Sequence, residues 1–137
     1  MSFAAYLGFR GNAREAMTFY ADVFGAKDLQ VMTFGDMPPG AQMSGMAADA
    51  VMHSQLSAGP GAPLMAADLP PGHPGGGGNM TVYHAAPDTA TATAIFTRLA
   101  KGGTISFPLA QTFWSPLFGG VTDRFGTAWM ITVAPGA

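Results

Sequence analysis

The chain has 137 residues, six Lys or Arg against eight Asp or Glu, a net charge of -2 and no cysteine. That balance offers no basic field to nucleic acid, and the missing thiols exclude disulfides, thiolate metal sites and cysteine nucleophiles. With 48% hydrophobic and 10% charged residues the composition is globular, with length for one domain or two small fused halves, and 19 Gly and 11 Pro imply sharply turned connections.

No basic region precedes an apolar run at the amino terminus, and no apolar stretch approaches the roughly 18 residues of a membrane span, so a cytoplasmic protein without membrane association is expected. Residues 3–9 predict a first strand. Asn12 then offers an N-cap with Glu15 three positions on, a variant of the capping box. Ala16, Phe19, Tyr20 and Val23 recur at helical spacing, and Gly25 falls where a left-handed C-cap ends a helix near Phe24. A strand follows over 29–34, then a Pro-Gly-Met loop over 36–48 and strands near 50–57 and 63–67, ending at Asp68.

The run Leu69 to Gly78, LPPGHPGGGG, predicts a linker, because its prolines remove donors and its glycines have much entropy to lose. It divides the chain into a first module, 1–68, and a second, 79–137. Beyond it the order repeats: a strand over 80–85, a helix starting near Pro87-Asp88 and stopping at Gly102-Gly103, and strands near 104–110, 116–122 and 127–133. The second helix places Ala92, Ile95, Phe96 and Leu99 on one face, the spacing of the first helix displaced by 76 residues, which indicates an internal duplication. The last two strands enclose Asp123-Arg124-Phe125-Gly126, a turn sequence, so a hairpin closes the chain.

Both tryptophans fall in this final stretch. Trp114 and its neighbour Phe113 lie in a Gly- and Pro-flanked run and are candidate walls of a binding pocket, with Phe118 in the strand that follows. Trp129, alternating with Met130, is expected in the core, and Tyr6 suits either place. Asp123 is expected to bond backbone N–H groups in its own turn, while Arg124 either pairs with it or anchors an anion. His53 lies mid-strand, facing a pocket as a hydrogen-bonding group or general base, or facing solvent as an ordinary strand histidine. His84, at a strand end, reads as structural, and His73 falls in the linker. No nucleophile elbow, metal-ligand spacing or Gly-rich nucleotide loop is present.

Two strand-helix-strand-strand-strand units carrying Phe19-Tyr20 with Phe24-Gly25 resemble the vicinal oxygen chelate superfamily. Tyr6-Leu7-Gly8-Phe9, Met52-His53, Leu64 to Asp68, Thr112-Phe113-Trp114, Phe118-Gly119 and Thr122 to Gly126 with Trp129 are most similar to its PhnB-like branch of glyoxalase and bleomycin-resistance proteins. The resemblance implies an α+β fold of paired βαβββ modules whose curved mixed sheets surround a cavity, commonly as a homodimer. It also implies metal ligands, His and Glu, on the first and last strands of each module. Those positions fall at or near Ala5 and Met130, which cannot ligate a hard or borderline cation, and near Asn79, a poor ligand alone, so neither a metal nor another cofactor is expected. The implied function is metal-independent binding of a small, partly apolar or aromatic ligand, with Tyr6, His53, Phe113, Trp114, Phe118 and Arg124 as candidate ligand-binding residues. The alternative is an enzyme: a glyoxalase-like lyase or isomerase, or the methyltransferase acting on demethylated ubiquinone that is attached by name to PhnB-like sequences.

Overall fold

Each half of the chain folds as a strand, a helix and three further strands, and the fold is α+β. The computed structural model describes residues 3–38, 45–59, 62–73 and 79–134, and the chain divides into two units, Met1–Gly77 and Gly78–Ala137. The first unit contains β1 (Ala5–Phe9), α1 (Ala13–Phe24), β2 (Gln30–Thr33), β3 (Val51–Ser57) and β4 (Pro63–Asp68). The second contains β5 (Val82–Ala86), α2 (Thr89–Ala100), β6 (Thr104–Ala110), β7 (Phe118–Thr122) and β8 (Ala128–Val133). Both sheets are open and mixed, with strand orders β1-β4-β3-β2 and β5-β8-β7-β6. The first strand of each unit pairs parallel to its last, and the other pairings are antiparallel.

In the first unit, α1 buries Ala13, Ala16, Met17, Tyr20 and Val23, a stripe at helical spacing. Met17 is fully buried within that stripe, where the sequence pattern points to Phe19; Phe19 stays half-buried and packs its ring against Tyr20. Register gives the sheet two different faces. Leu7, Phe9, Leu64, Ala66, Ser54 and Leu56 share the face under α1, because paired residues point the same way and successive residues alternate. Burying each of the large aliphatic side chains there contributes about 1.5–3 kcal/mol. Ser54 sits among them because its hydroxyl donates to Ala66 O at 2.8 Å.

The helix starts where the sequence predicts, but not by the predicted means. Asn12 caps α1 with no side-chain hydrogen bond, its backbone at φ −121°, ψ 22°. The orphan donors are taken by Asp68, at the end of β4: Oδ1 accepts from Gly11 N at 2.9 Å and Ala13 N at 3.0 Å, and Oδ2 from Val51 N at 2.9 Å. One buried carboxylate thus ties the start of α1 to β3, which explains its tolerance of burial. At the other end Gly25 adopts φ 68°, and Gly25 N and Ala26 N donate back to Asp22 O and Ala21 O, the Schellman pattern.

Strand β2 stops one residue short of Phe34. The Asp36 carboxylate accepts from Thr33 N at 2.9 Å and Thr33 Oγ1 at 3.0 Å, folding Phe34–Asp36 into a 3₁₀ turn that carries Phe34 into the core. Of the expected loop, residues 39–44 lie outside the described residues, as do 74–78 of the expected linker; before them His73 N donates to Pro70 O at 3.1 Å in a turn.

The second unit repeats the plan. Asp88 caps α2 by accepting from Thr91 N at 2.7 Å, and the helix buries Ala92, Ile95, Phe96 and Leu99. Beyond it, Gly103 must be glycine, because a Cβ there would lie 2.2 Å from Thr122 O. The β7–β8 hairpin turns at Asp123–Gly126, where Gly126 N donates to Asp123 O at 3.0 Å and Gly126 takes φ 91°. Trp129, Ile131 and Val133 line the face under α2, with Trp129 only 2% exposed. Among the described residues no helix is long and apolar enough to cross a membrane.

Candidate functional site

The face of the first sheet away from α1 carries Tyr6 beside Met65, Met65 beside Gln55, and His53 beside Met32. Tyr6 extends from β1 across β4, where the open-face residue after Met65 is the small Ala67, and its hydroxyl reaches His53 Nδ1 on β3 at 2.9 Å. The two ring centroids are 5.6 Å apart. His53 Nε2 meets Gln55 Oε1 at 3.1 Å. With the Gln55 carbonyl oxygen turned to the ring, Nε2 carries the imidazole proton, so Nδ1 accepts and the Tyr6 hydroxyl donates. Partial burial raises the Tyr6 pKa above its ordinary value, which keeps the phenol protonated. Two of the expected site residues are therefore joined, and Gln55 is a third that sequence reading missed. Its signal was its spacing, two residues from His53 on one strand.

The corresponding face of the second sheet is aromatic. Tyr83 pairs with Met130, Phe118 with Thr132, and Phe107 with Gly120. The Phe107 ring lies over Gly120, where a Cβ would meet Phe107 Cδ2 at 2.8 Å. Trp114 stacks edge-on against Phe118 at 5.5 Å, and Phe113 edge-on against Trp114 at 4.8 Å. The loop bearing them is pinned by Ser115, whose N–H donates to Thr112 Oγ1 at 3.1 Å and whose hydroxyl lies 2.7 Å from Thr132 Oγ1. Even so, Trp114 is 57% and Phe113 97% exposed, and Tyr83 and Phe107, on the same face of the sheet as Phe118, are exposed as well. Tyr83 and Phe107 were not anticipated, although Tyr83 is second in its strand, as Tyr6 is in β1.

The expected site residues do not form one cluster. Arg124 stands in the turn beyond Thr122, whereas Phe118 opens β7 at the other end. Its guanidinium lies over the Phe125 ring at 4.5 Å, and its stem approaches Gly102. Asp123, in the same turn, is occupied structurally: Oδ1 accepts from Phe125 N at 2.9 Å and Thr127 N at 3.1 Å, and Oδ2 from Trp129 Nε1 at 2.8 Å. His84 is half-buried in mid-β5 rather than at a strand end, on the face under α2, and desolvation lowers its pKa below the ordinary imidazole value.

With this geometry in place, the family model of the Glyoxalase/Bleomycin resistance protein/Dioxygenase superfamily matches residues 3–131. The chain belongs to that superfamily. It is 33% identical to Protein YjdN of Escherichia coli (strain K12) over 141 residues, covering 97% of this chain and 95% of that protein. Among solved structures, protein PA1353 from Pseudomonas aeruginosa superposes with a TM-score of 0.83 at 37% identity, covering 97% of both chains. A PhnB protein from Bacillus cereus, provisionally named a 3-demethylubiquinone-9 3-methyltransferase, superposes at 0.75 with 24% identity over 98% of this chain and 100% of that one, a likeness of fold.

The first and last strands, where the superfamily resemblance implies His and Glu ligands, carry a different donor set. Ala5 pairs with Leu64 and faces α1, so the open-face residue at this end of β1 is its neighbour Tyr6; Met130 lies on the open face of β8. At matching open-face positions the first and last strands carry Tyr6, Met65, Tyr83 and Met130, phenols and thioethers that do not suit a divalent cation. Among the described residues no group of three His, Cys, Asp or Glu is placed to hold a metal ion. The residues present do not fit the metal implied by the superfamily.

Proposed function

We propose that this chain binds a small, partly apolar or aromatic molecule without a metal, and that the aromatic face of the second sheet receives it. The observation that carries this reading is Trp114: an indole more than half exposed, held edge-on against Phe113 and Phe118 by a loop hydrogen-bonded into the hairpin. Large apolar side chains kept at a surface by local bonding support a binding role, since leaving them in water has no folding benefit. Phe113, Trp114 and Phe118 supply ring contacts, and Tyr83 and Phe107 extend the surface. A homodimer in the cytoplasm is part of the proposal, supported by the low charged fraction of 10%.

Native mass spectrometry of freshly purified, chelator-dialysed protein tests the reading, followed by denaturing extraction of any adduct. The expected result is a small aromatic or apolar molecule retained by the wild type and lost from Trp114→Ala. Retention that depends on an added divalent metal, or that is indifferent to Trp114, contradicts it.

A further inference from the structure

We propose that Ser115 and Thr132 are positioning residues for Trp114: their buried hydroxyls fix the tip that carries Phe113 and Trp114 in the conformation a ligand meets. This positioning role presupposes that Trp114 receives the ligand, as proposed above.

The tip is held from beneath. Phe113 and Trp114 are two exposed residues between Thr112 and Ser115, and neither makes a hydrogen bond of its own among the described residues. Thr112 and Ser115 clasp each other across them: Thr112 N donates to Ser115 O at 3.0 Å, and Ser115 N donates to Thr112 Oγ1 at 3.1 Å. Ser115 carries the hold inward. Its hydroxyl lies 2.8 Å from Leu117 O and 2.7 Å from Thr132 Oγ1, and Thr132 Oγ1 lies 3.0 Å from Leu117 O. Each hydroxyl has one proton to donate, so the pair shares these three contacts and draws the oxygens together. Ser115 is 6% and Thr132 2% exposed, and Thr132 belongs to β8, an inner strand of its sheet. A buried strand position thus governs two rings at the surface.

The first unit shows that a sheet of this plan folds without the hydroxyl. Tyr6 pairs with Met65 as Tyr83 pairs with Met130, so the residue that corresponds to Thr132 is Ala67, two places on from Met65. With alanine there, β4 keeps both its parallel and its antiparallel partner. Threonine stands at this place in the unit where a loop bearing two exposed rings is bonded to it. Those rings add little burial to hold the tip, so its shape depends on the hydrogen bonds below it, and Phe113, edge-on against Trp114, follows the same support. A tip that samples other conformations binds only in proportion to the time it spends in the competent one. Fixing it before the ligand arrives removes that loss and the ordering cost of binding.

The test has one arm without ligand and one with it. In the first, the heteronuclear ¹H–¹⁵N Overhauser effect of the Trp114 indole N–H is measured in free, ¹⁵N-labelled full-length protein, with the buried, Asp123-bonded Trp129 as the rigid reference. We expect the wild-type Trp114 value to lie close to that of Trp129, Thr132→Val to lower it, and Thr132→Ser, which restores a hydroxyl, to bring it back. Valine keeps the branched shape and strands no partner, since Leu117 O still accepts from the Ser115 hydroxyl and from Val133 N. In the second arm naphthalene, indole and coumarin are titrated into each protein. Thr132→Val should bind whichever of them the wild type binds about fivefold more weakly, the worth of one net hydrogen bond in the competent fraction, and Thr132→Ser should bind it as the wild type does. Ser115→Ala removes the same contact from the loop side; it should repeat both changes, and carries the test if Thr132→Val does not fold. A hydroxyl that serves the fold alone would lower the denaturation midpoint and leave both readouts of the folded protein in place, which overturns the proposal, as does a loosened indole with unchanged affinity. A wild type whose Trp114 is rigid but that binds none of the three probes contradicts the reading of Trp114 as the ligand's receptor, and this role with it; a Trp114 equally mobile in Thr132→Val and the wild type contradicts the positioning role alone.

Discussion

The two sheets of this protein use one register to present two surfaces. Tyr6 pairs with Met65 as Tyr83 pairs with Met130, and the next strand brings Gln55 opposite Met65 but Gly120 opposite Met130. Two residues earlier on that strand stand His53 in one unit and Phe118 in the other. The substitution of Gly for Gln opens the space in which the Phe107 ring lies, and Phe for His removes the acceptor that a tyrosine would need. Two units with the same strand order thus carry a polar chain on one open face and a ring cluster on the other. The covered faces differ too: His84 occupies in β5 the place of Leu7 in β1, and α1 relies on the distant Asp68 where α2 caps itself with Asp88.

The largest test of this comparison lies within the second unit. Trp129→Ala empties a site that is 2% exposed and removes one of the hydrogen-bond donors to the Asp123 carboxylate, so a loss of about 3–5 kcal/mol is expected in denaturant melts. Trp114→Ala should cost far less, under about 1 kcal/mol, because most of that indole is already in water. Equal losses would show that the two tryptophans do not divide between core and surface.

Next in size is the contrast of caps. Asp68→Ala leaves three backbone N–H groups without their acceptor, two of them at buried residues, and should destabilise the protein by about 3 kcal/mol. Asp88→Ala, at an exposed cap, should produce a clearly smaller shift of the denaturation midpoint. If the order reverses, α1 does not depend on its long-range cap.

The cap also shows where sequence reading ends. Helix periodicity, Gly25, the Asp123–Gly126 turn and the repeat of two units were legible because each is written in neighbouring residues. The role of Asp68 was not, since its donors lie 17, 55 and 57 positions away. Which residue of β1 meets the open face was not legible either, because facing is set by pairing with β4 rather than by local pattern: at or near Ala5, it is Tyr6 that does so. The same dependence on register hid that Gln55 shares a face with Tyr6 and His53, and that Tyr83 and Phe107 share one with Phe118. Phe34 was read as strand because its hydrophobicity suits one, whereas the Thr33 and Asp36 bonds turn it inward.

A smaller effect separates the covered faces by pH. Burial holds the folded-state pKa of His84 below its ordinary value, so the unfolded chain binds more protons as pH falls through about 6.5. Stability should be full above that pH and decline below it, toward the lower folded-state value. His84→Leu, which copies the residue at the equivalent place in β1, should remove this part of the decline in chemical melts between pH 7 and 5. A variant with the wild-type pH profile would assign the dependence elsewhere.

The central claim, that the second sheet binds an aromatic ligand at Trp114 without metal, is most directly tested at the two indole N–H resonances. Chelator-dialysed, ¹⁵N-labelled protein is titrated with neutral bicyclic aromatics such as naphthalene, indole and coumarin, the Trp114 signal being assigned by Trp114→Phe. The account predicts a saturable shift of the Trp114 resonance with at least one of them, unaffected by added Zn or Ni, while the Trp129 resonance, buried and bonded to Asp123, stays in place. A Trp114 signal that fails to saturate with any of them, or that responds only once metal is added, would contradict it.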